Sequence, residues 1–141
     1  MEIIVHTLAE LYEAMPQLAE TIGARRKVAL YGPMGAGKTT LVQAFCRCLG
    51  VEGRPVSPTF SLVNAYSYRD ADGRPALVHH LDLYRLATLE EALEIGLGEL
   101  LDDPWYCFIE WPQLIEPILP GDTAKIQLHI LSETARRLLI L

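Results

Sequence analysis

Lys27-Val28-Ala29-Leu30-Tyr31-Gly32-Pro33-Met34-Gly35-Ala36-Gly37-Lys38-Thr39-Thr40 decides how the rest of the chain is read. From Gly32 to Thr39 it fits G-x-x-x-x-G-K-[ST], a loop whose backbone N–H groups cradle phosphate oxygens. Before it, Lys27–Tyr31 reads as a strand that Gly32-Pro33 stops. After it, Leu41, Phe45 and Leu49 recur every fourth residue with Val42 beside them. That spacing predicts a helix over 38–49, capped by Gly50. Strand, glycine loop and helix in this order are the context in which such a loop works. Glycine allows positive φ and removes side chains, so successive N–H groups can converge. The helix start adds unpaired N–H groups and the positive end of its dipole. Gly35, Ala36, Gly37, Lys38, Thr39 and Thr40 are therefore the expected nucleotide ligands. Lys38 should reach the β- and γ-phosphates, Thr39 should ligate Mg²⁺, and Thr40 should bond a nearer phosphate.

Such a loop needs an acid near the metal, at the end of a neighbouring strand. Two residues qualify. Glu110 ends the apolar run Trp105–Ile109 and is followed by Trp111-Pro112, which stop the strand. Asp82 follows Ala76–Leu81, with a local salt bridge to Arg85 as its plain structural reading. Either could hold metal-bound water or orient an attacking water. Glu110 is the better metal candidate because its strand reads as buried on both faces. Ser57-Pro58-Thr59 lies in a loop before a strand, where phosphate-sensing switch segments occur.

Working outward, Ile3-Ile4-Val5 is a short β-branched strand. Apolar residues from Leu8 to Ile22 recur at three and four, predicting an amphipathic helix ended by Gly23, with Pro16 able to break it. Strands are expected over 59–68 and 76–83 around the turn Asp70-Ala71-Asp72-Gly73. Two short helices should fill 88–101, and 125–131 with 136–141 should form a hairpin. The expected fold is α/β: a single P-loop domain over 1–141, with a mainly parallel central sheet and added antiparallel hairpins.

Composition narrows the class. The chain has 141 residues, 50% hydrophobic and 21% charged, with a formal net charge of −6. That excludes a disordered or collagen-like chain, and no apolar run reaches the ~18 residues of a membrane span. Three cysteines make no disulfide framework, and the N-terminal residues lack a secretion-signal pattern, so a reducing cytoplasm is expected. Cys46 and Cys48 sit two apart on a helix, face different ways and read, with Cys107, as inert packing rather than metal ligands. His79 and His80 read as a half-exposed pair on opposite faces of a strand. Arg25-Arg26-Lys27 and Arg136-Arg137 read as solvated charges, with one arginine able to reach phosphate or a partner.

Four blocks in order resemble the TsaE (YjeE) family of small P-loop ATPases: Gly35–Thr40, Ser57–Val63, His80–Leu86 and Ile109–Pro112. The resemblance implies a role in making threonylcarbamoyladenosine in tRNA, with ATP and Mg²⁺ as cofactors and the TsaB and TsaD proteins as partners. It implies Thr39 and Glu110 as Mg²⁺ ligands and Asp82 as the acid needed for hydrolysis, beside Lys38, which the loop motif already marks as the catalytic lysine at the phosphates. It further implies a switch at Ser57-Pro58-Thr59 and a tryptophan, Trp111, beside the nucleotide. The family often carries a threonine in the first helix near the adenine pocket, where Leu11 or Tyr12 stands here. The acidic charge fits tRNA contacts made mainly through partners. Two other readings share the loop. A small-molecule or nucleoside kinase would need an arginine-bearing lid, and no Arg-rich insertion follows Glu110. A nucleotide-dependent binding module would use the same residues.

Overall fold

The computed structural model describes residues 1–53 and 62–141. In chain order the elements are strand β1 (Glu2–Val5), helix α1 (Leu8–Ile22), β2 (Lys27–Tyr31), α2 (Lys38–Leu49), β3 (Val63–Arg69) and β4 (Pro75–Asp82). They continue with α3 (Leu89–Glu94), α4 (Leu97–Asp102), β5 (Tyr106–Glu110), a 3-10 helix over Pro112–Ile118, β6 (Ala124–Ile130) and β7 (Arg136–Ile140). One seven-stranded sheet carries them in the order β1-β7-β6-β2-β5-β4-β3. The four central strands, β6, β2, β5 and β4, are parallel. The β3–β4 hairpin and the β1–β7–β6 group add antiparallel edges, as expected from the two hairpin signals.

The strand nature of β2 and β5 follows from their runs. Every residue from Lys27 to Leu30 and from Tyr106 to Glu110 is buried, the pattern of a parallel strand covered on both faces. On one face, α1 and α2 press Met15, Leu18, Ile22, Leu41 and Phe45 onto Val28, Leu30, Phe108 and Ile126. Phe45 meets Phe108 and Tyr106 with ring centroids 4.9 and 5.2 Å apart. Its loss to alanine would cost about 3 kcal/mol, as for other buried aromatics. On the other face the short α3, α4 and the 3-10 helix cover Leu81, Cys107 and Ile109.

Helix α1 begins at Thr7, whose hydroxyl accepts from Glu10 N at 3.0 Å, a side-chain N-cap. Pro16 lies inside this helix and does not end it. The fully buried Met15 and Leu18 on either side hold the turn where proline removes one hydrogen bond. Other differences are local. The first strand of the hairpin begins at Val63 within the described residues, and residues 59–61 lie outside them. The 3-10 helix after Glu110 carries prolines at 112 and 117, which remove donors from a regular helix and leave no periodic signal. No helix among the described residues is long and apolar enough to cross a membrane.

Candidate functional site

The C-terminal ends of β2, β5 and β4 lie side by side, with Leu30 opposite Glu110 and Glu110 opposite Asp82. In open α/β sheets this carboxyl edge is where ligands bind. The glycine loop leaves β2 here. Gly35 and Gly37 have φ of 82° and 100°, and a methyl group on either would meet no atom within 4 Å. Conformation, not space, demands glycine at those two positions. Gly32 differs, because a Cβ there would come within 2.9 Å of the Leu128 carbonyl on β6. Gly37 then caps α2, with Leu41 N donating to its carbonyl at 2.8 Å.

Lys38 is only 5% exposed. Its Nζ donates to the Gly32 carbonyl at 2.5 Å and lies 3.4 Å from the centroid of the Trp111 ring. Burial pushes its pKa down, with Glu110 and Asp82 acting in the opposite direction. Thr39 Oγ1 donates to Glu110 Oε2 at 2.8 Å. Glu110 is 4% exposed and also bonds the His80 ring through Nε2. Burial alone would raise its pKa, but hydrogen bonds from His80 and Thr39 and the charges of His80 and Lys38 outweigh it and hold the carboxyl low. Asp82 is half-buried, and its Oδ1 accepts from Tyr84 N at 3.0 Å. That turn contact, rather than a salt bridge to Arg85, is what the described residues provide.

Gly35, Gly37, Lys38, Thr39, Thr40, Asp82, Tyr84, Glu110 and Trp111 surround a cavity of about 310 Å³. The fold thus brings together seven sequence-predicted site residues: Gly35, Gly37, Lys38, Thr39, Thr40, Asp82 and Glu110. Ala36 is fully buried beneath the loop, and Thr40 borders this cavity and a second one. Ser57-Pro58-Thr59 lies outside the described residues. The second cavity, about 260 Å³, opens on the other side of the loop, between Thr7, Leu8 and Leu11 of the α1 start and Thr134, Arg136 and Leu138. Leu11 lines it, whereas the Tyr12 ring faces Arg47. The threonine there is Thr7, one residue before the helix proper, where helical periodicity gives no signal. Arg136 Nη2 donates to the Gly35 carbonyl at 3.4 Å.

Two expectations are corrected. His80 is not half of an exposed pair: it is 7% exposed and bonded to Glu110, while His79 on the opposite face sits 3.7 Å from Asp103. Lys27 is not a solvated charge. It is 6% exposed, and its Nζ donates to Asp103 Oδ1, Asp103 O and Trp105 O at 2.8, 3.0 and 2.8 Å. Both partners are remote in sequence, so spacing could not reveal them. Cys46 and Cys107 behave as packing, with burial pushing their thiols up to about 11 and about 12, whereas Cys48 is exposed.

A parallel strand, a glycine loop with left-handed backbone, a buried lysine and a threonine bonded to the neighbouring strand's acid define the P-loop class. Within that class the chain belongs to the TsaE family, described as threonylcarbamoyl adenosine biosynthesis protein TsaE, which it matches over residues 5–138. It is 36% identical over 113 residues to the tRNA threonylcarbamoyladenosine biosynthesis protein TsaE of Treponema pallidum, covering 80% of this chain and 79% of that one. The TsaE of Synechocystis is 44% identical over 110 residues, covering 74% of this chain and 65% of its own. That of Aquifex aeolicus is 30% identical over 141 residues, covering 99% and 94%. The crystal structure of Bacillus subtilis YdiB superposes with a TM-score of 0.70 at 25% identity, over 98% of this chain and 82% of that one.

Proposed function

We propose that this chain is a Mg²⁺-dependent ATPase serving the threonylcarbamoyladenosine modification of tRNA, working in the cytoplasm with the TsaB and TsaD proteins. The observation that carries the ATPase reading is the Thr39–Glu110 hydrogen bond beside the buried Lys38. A hydroxyl and a carboxylate from adjacent elements form the hard oxygen donor set that suits Mg²⁺. A bound Mg²⁺ would neutralise charge between the β- and γ-phosphates. The loop N–H groups of residues 35–40 grip the phosphates, and Lys38 exchanges the Gly32 carbonyl for a phosphate oxygen. Asp82, across the strand pair from Glu110, orients the attacking water. The cavity between Thr7, Leu11 and Arg136 holds the base, its apolar walls closing on the ring faces.

The kinase alternative gains no support. Trp111–Thr123 contains no arginine or lysine to serve as a lid over the phosphates. The charge of −6 makes tRNA contact through partners the economical arrangement. The test is ATP hydrolysis by the isolated chain and with TsaB and TsaD added, alongside reconstituted tRNA modification with and without this chain. Slow turnover alone, raised by the partners, and modification that depends on this chain are expected. Fast turnover unchanged by the partners, or phosphate transfer to a nucleoside, would refute the reading.

A further inference from the structure

Glu110 Oε2 is the meeting point of two donors, Thr39 Oγ1 and His80 Nε2. A carboxylate oxygen has two lone pairs, so these donors fill it and set the plane of the group. An ionised carboxylate only accepts, which fixes the hydrogen of the His80 ring on Nε2. Among the described residues no hydrogen bond reaches the other oxygen, Oε1. The register explains the arrangement. His80 pairs with Phe108 and Asp82 pairs with Glu110 across β4 and β5. His80 is thus the diagonal neighbour of Glu110 on the same sheet face, within reach of a ring. Asp82 is directly opposite but spends Oδ1 on Tyr84 N. Nearest in register is not the residue that holds the acid.

We propose that His80 is the positioning residue for Glu110: it pins Oε2 beside Thr39 so that Oε1 is presented to the nucleotide's divalent cation. This rests on the ATPase reading above. His80 touches neither phosphate nor water in this role and acts only through the carboxylate. A buried carboxylate deprived of this donor turns about its last torsion, and the pairing of hydroxyl and acid that the cation needs is lost. Outer partners of metal ligands commonly contribute about tenfold or more to metal affinity.

The experiment is calorimetric titration of the full chain with a non-hydrolysable ATP analogue, in Mg²⁺ and in EDTA. Four proteins are compared: wild type, His80→Leu, His80→Gln and His80→Asn. A glutamine amide N–H reaches about where Nε2 stands, whereas asparagine is one methylene short. In wild type Mg²⁺ should tighten analogue binding. His80→Leu should keep its circular dichroism and its affinity in EDTA, while losing about tenfold of the Mg²⁺-dependent gain. His80→Gln should recover most of it. A folded His80→Leu with the wild-type Mg²⁺ response would overturn the proposal. If the leucine variant does not fold, the glutamine and asparagine pair decides. Gain kept by Gln and lost by Asn supports positioning, and equal behaviour of the two overturns it. Failure of wild type to bind the analogue at all would instead remove the ATPase reading on which the proposal stands.

Discussion

Lys27 opens β2, and Lys38, the first residue of α2, reaches back to the Gly32 carbonyl just past the other end of that strand. Their exposures are nearly equal, 6% and 5%, yet their surroundings differ. The Lys27 ammonium has three acceptors for its three hydrogens, one of them the Asp103 carboxylate. Among the described residues, Lys38 has one acceptor, the Gly32 carbonyl, and the face of Trp111. A buried charge with every donor matched is part of the frame. One with donors to spare is what the proposed nucleotide site requires, since a phosphate oxygen can take them. Partner count, not burial, separates Lys27 from Lys38.

Exchanging each lysine for alanine should produce opposite losses. Lys38→Ala should lower ATP turnover by roughly a thousandfold, on the scale of losing a transition-state donor. Its melting temperature should stay near that of wild type. Lys27→Ala should do the reverse. By removing the buried cation from Asp103, which keeps Trp105 N and the nearby His79 ring, it should cost about 3 kcal/mol in urea unfolding, with nucleotide affinity retained by whatever fraction stays folded. If Lys38→Ala proves the less stable of the two, the distinction fails.

Acid should act on the Lys38 side through Glu110. The Glu110 pKa is held below the ordinary carboxylate value, so its bonds stabilise the fold above the unfolded-state pKa. That contribution is lost as pH falls through the folded-state value. The stability difference between wild type and Glu110→Gln should therefore shift against wild type on going from neutral pH to below about pH 4. Urea midpoints at both pH values measure the shift, and a pH-independent difference would disprove it. The smallest effect concerns the base side. Thr7→Ala removes the cap of α1 and should cost about 1 kcal/mol while weakening adenine nucleotide binding a few-fold.

The sequence was most legible where one element carries its own signal. The i, i+4 spacing of Leu41, Phe45 and Leu49 and the Gly-Lys-Thr ending settle α2 and the loop together. Glu110 was readable because it terminates an apolar run. Illegible features all depend on which strands become neighbours. Nothing local announces that position 80 meets position 110, or that Lys27 meets Asp103, since those pairs exist only once β4, β5 and β2 are in register. The 3-10 helix over Pro112–Ile118 was hidden for a different reason, as its prolines erase any period.

The neighbours of β2 are β5 and β6, both made long after it. A growing chain that has just completed Thr39 holds every atom of the glycine loop and neither wall of its sheet. Contacts of such long range are slow to form, because loop closure must precede them. The candidate site's edge is therefore among the last features to mature during synthesis. Until β6 arrives, one edge of β2 keeps its backbone N–H and C=O groups unpaired, an opening for wrong pairing. For this chain the interval between making the loop and completing the sheet is the period of greatest exposure to misassembly.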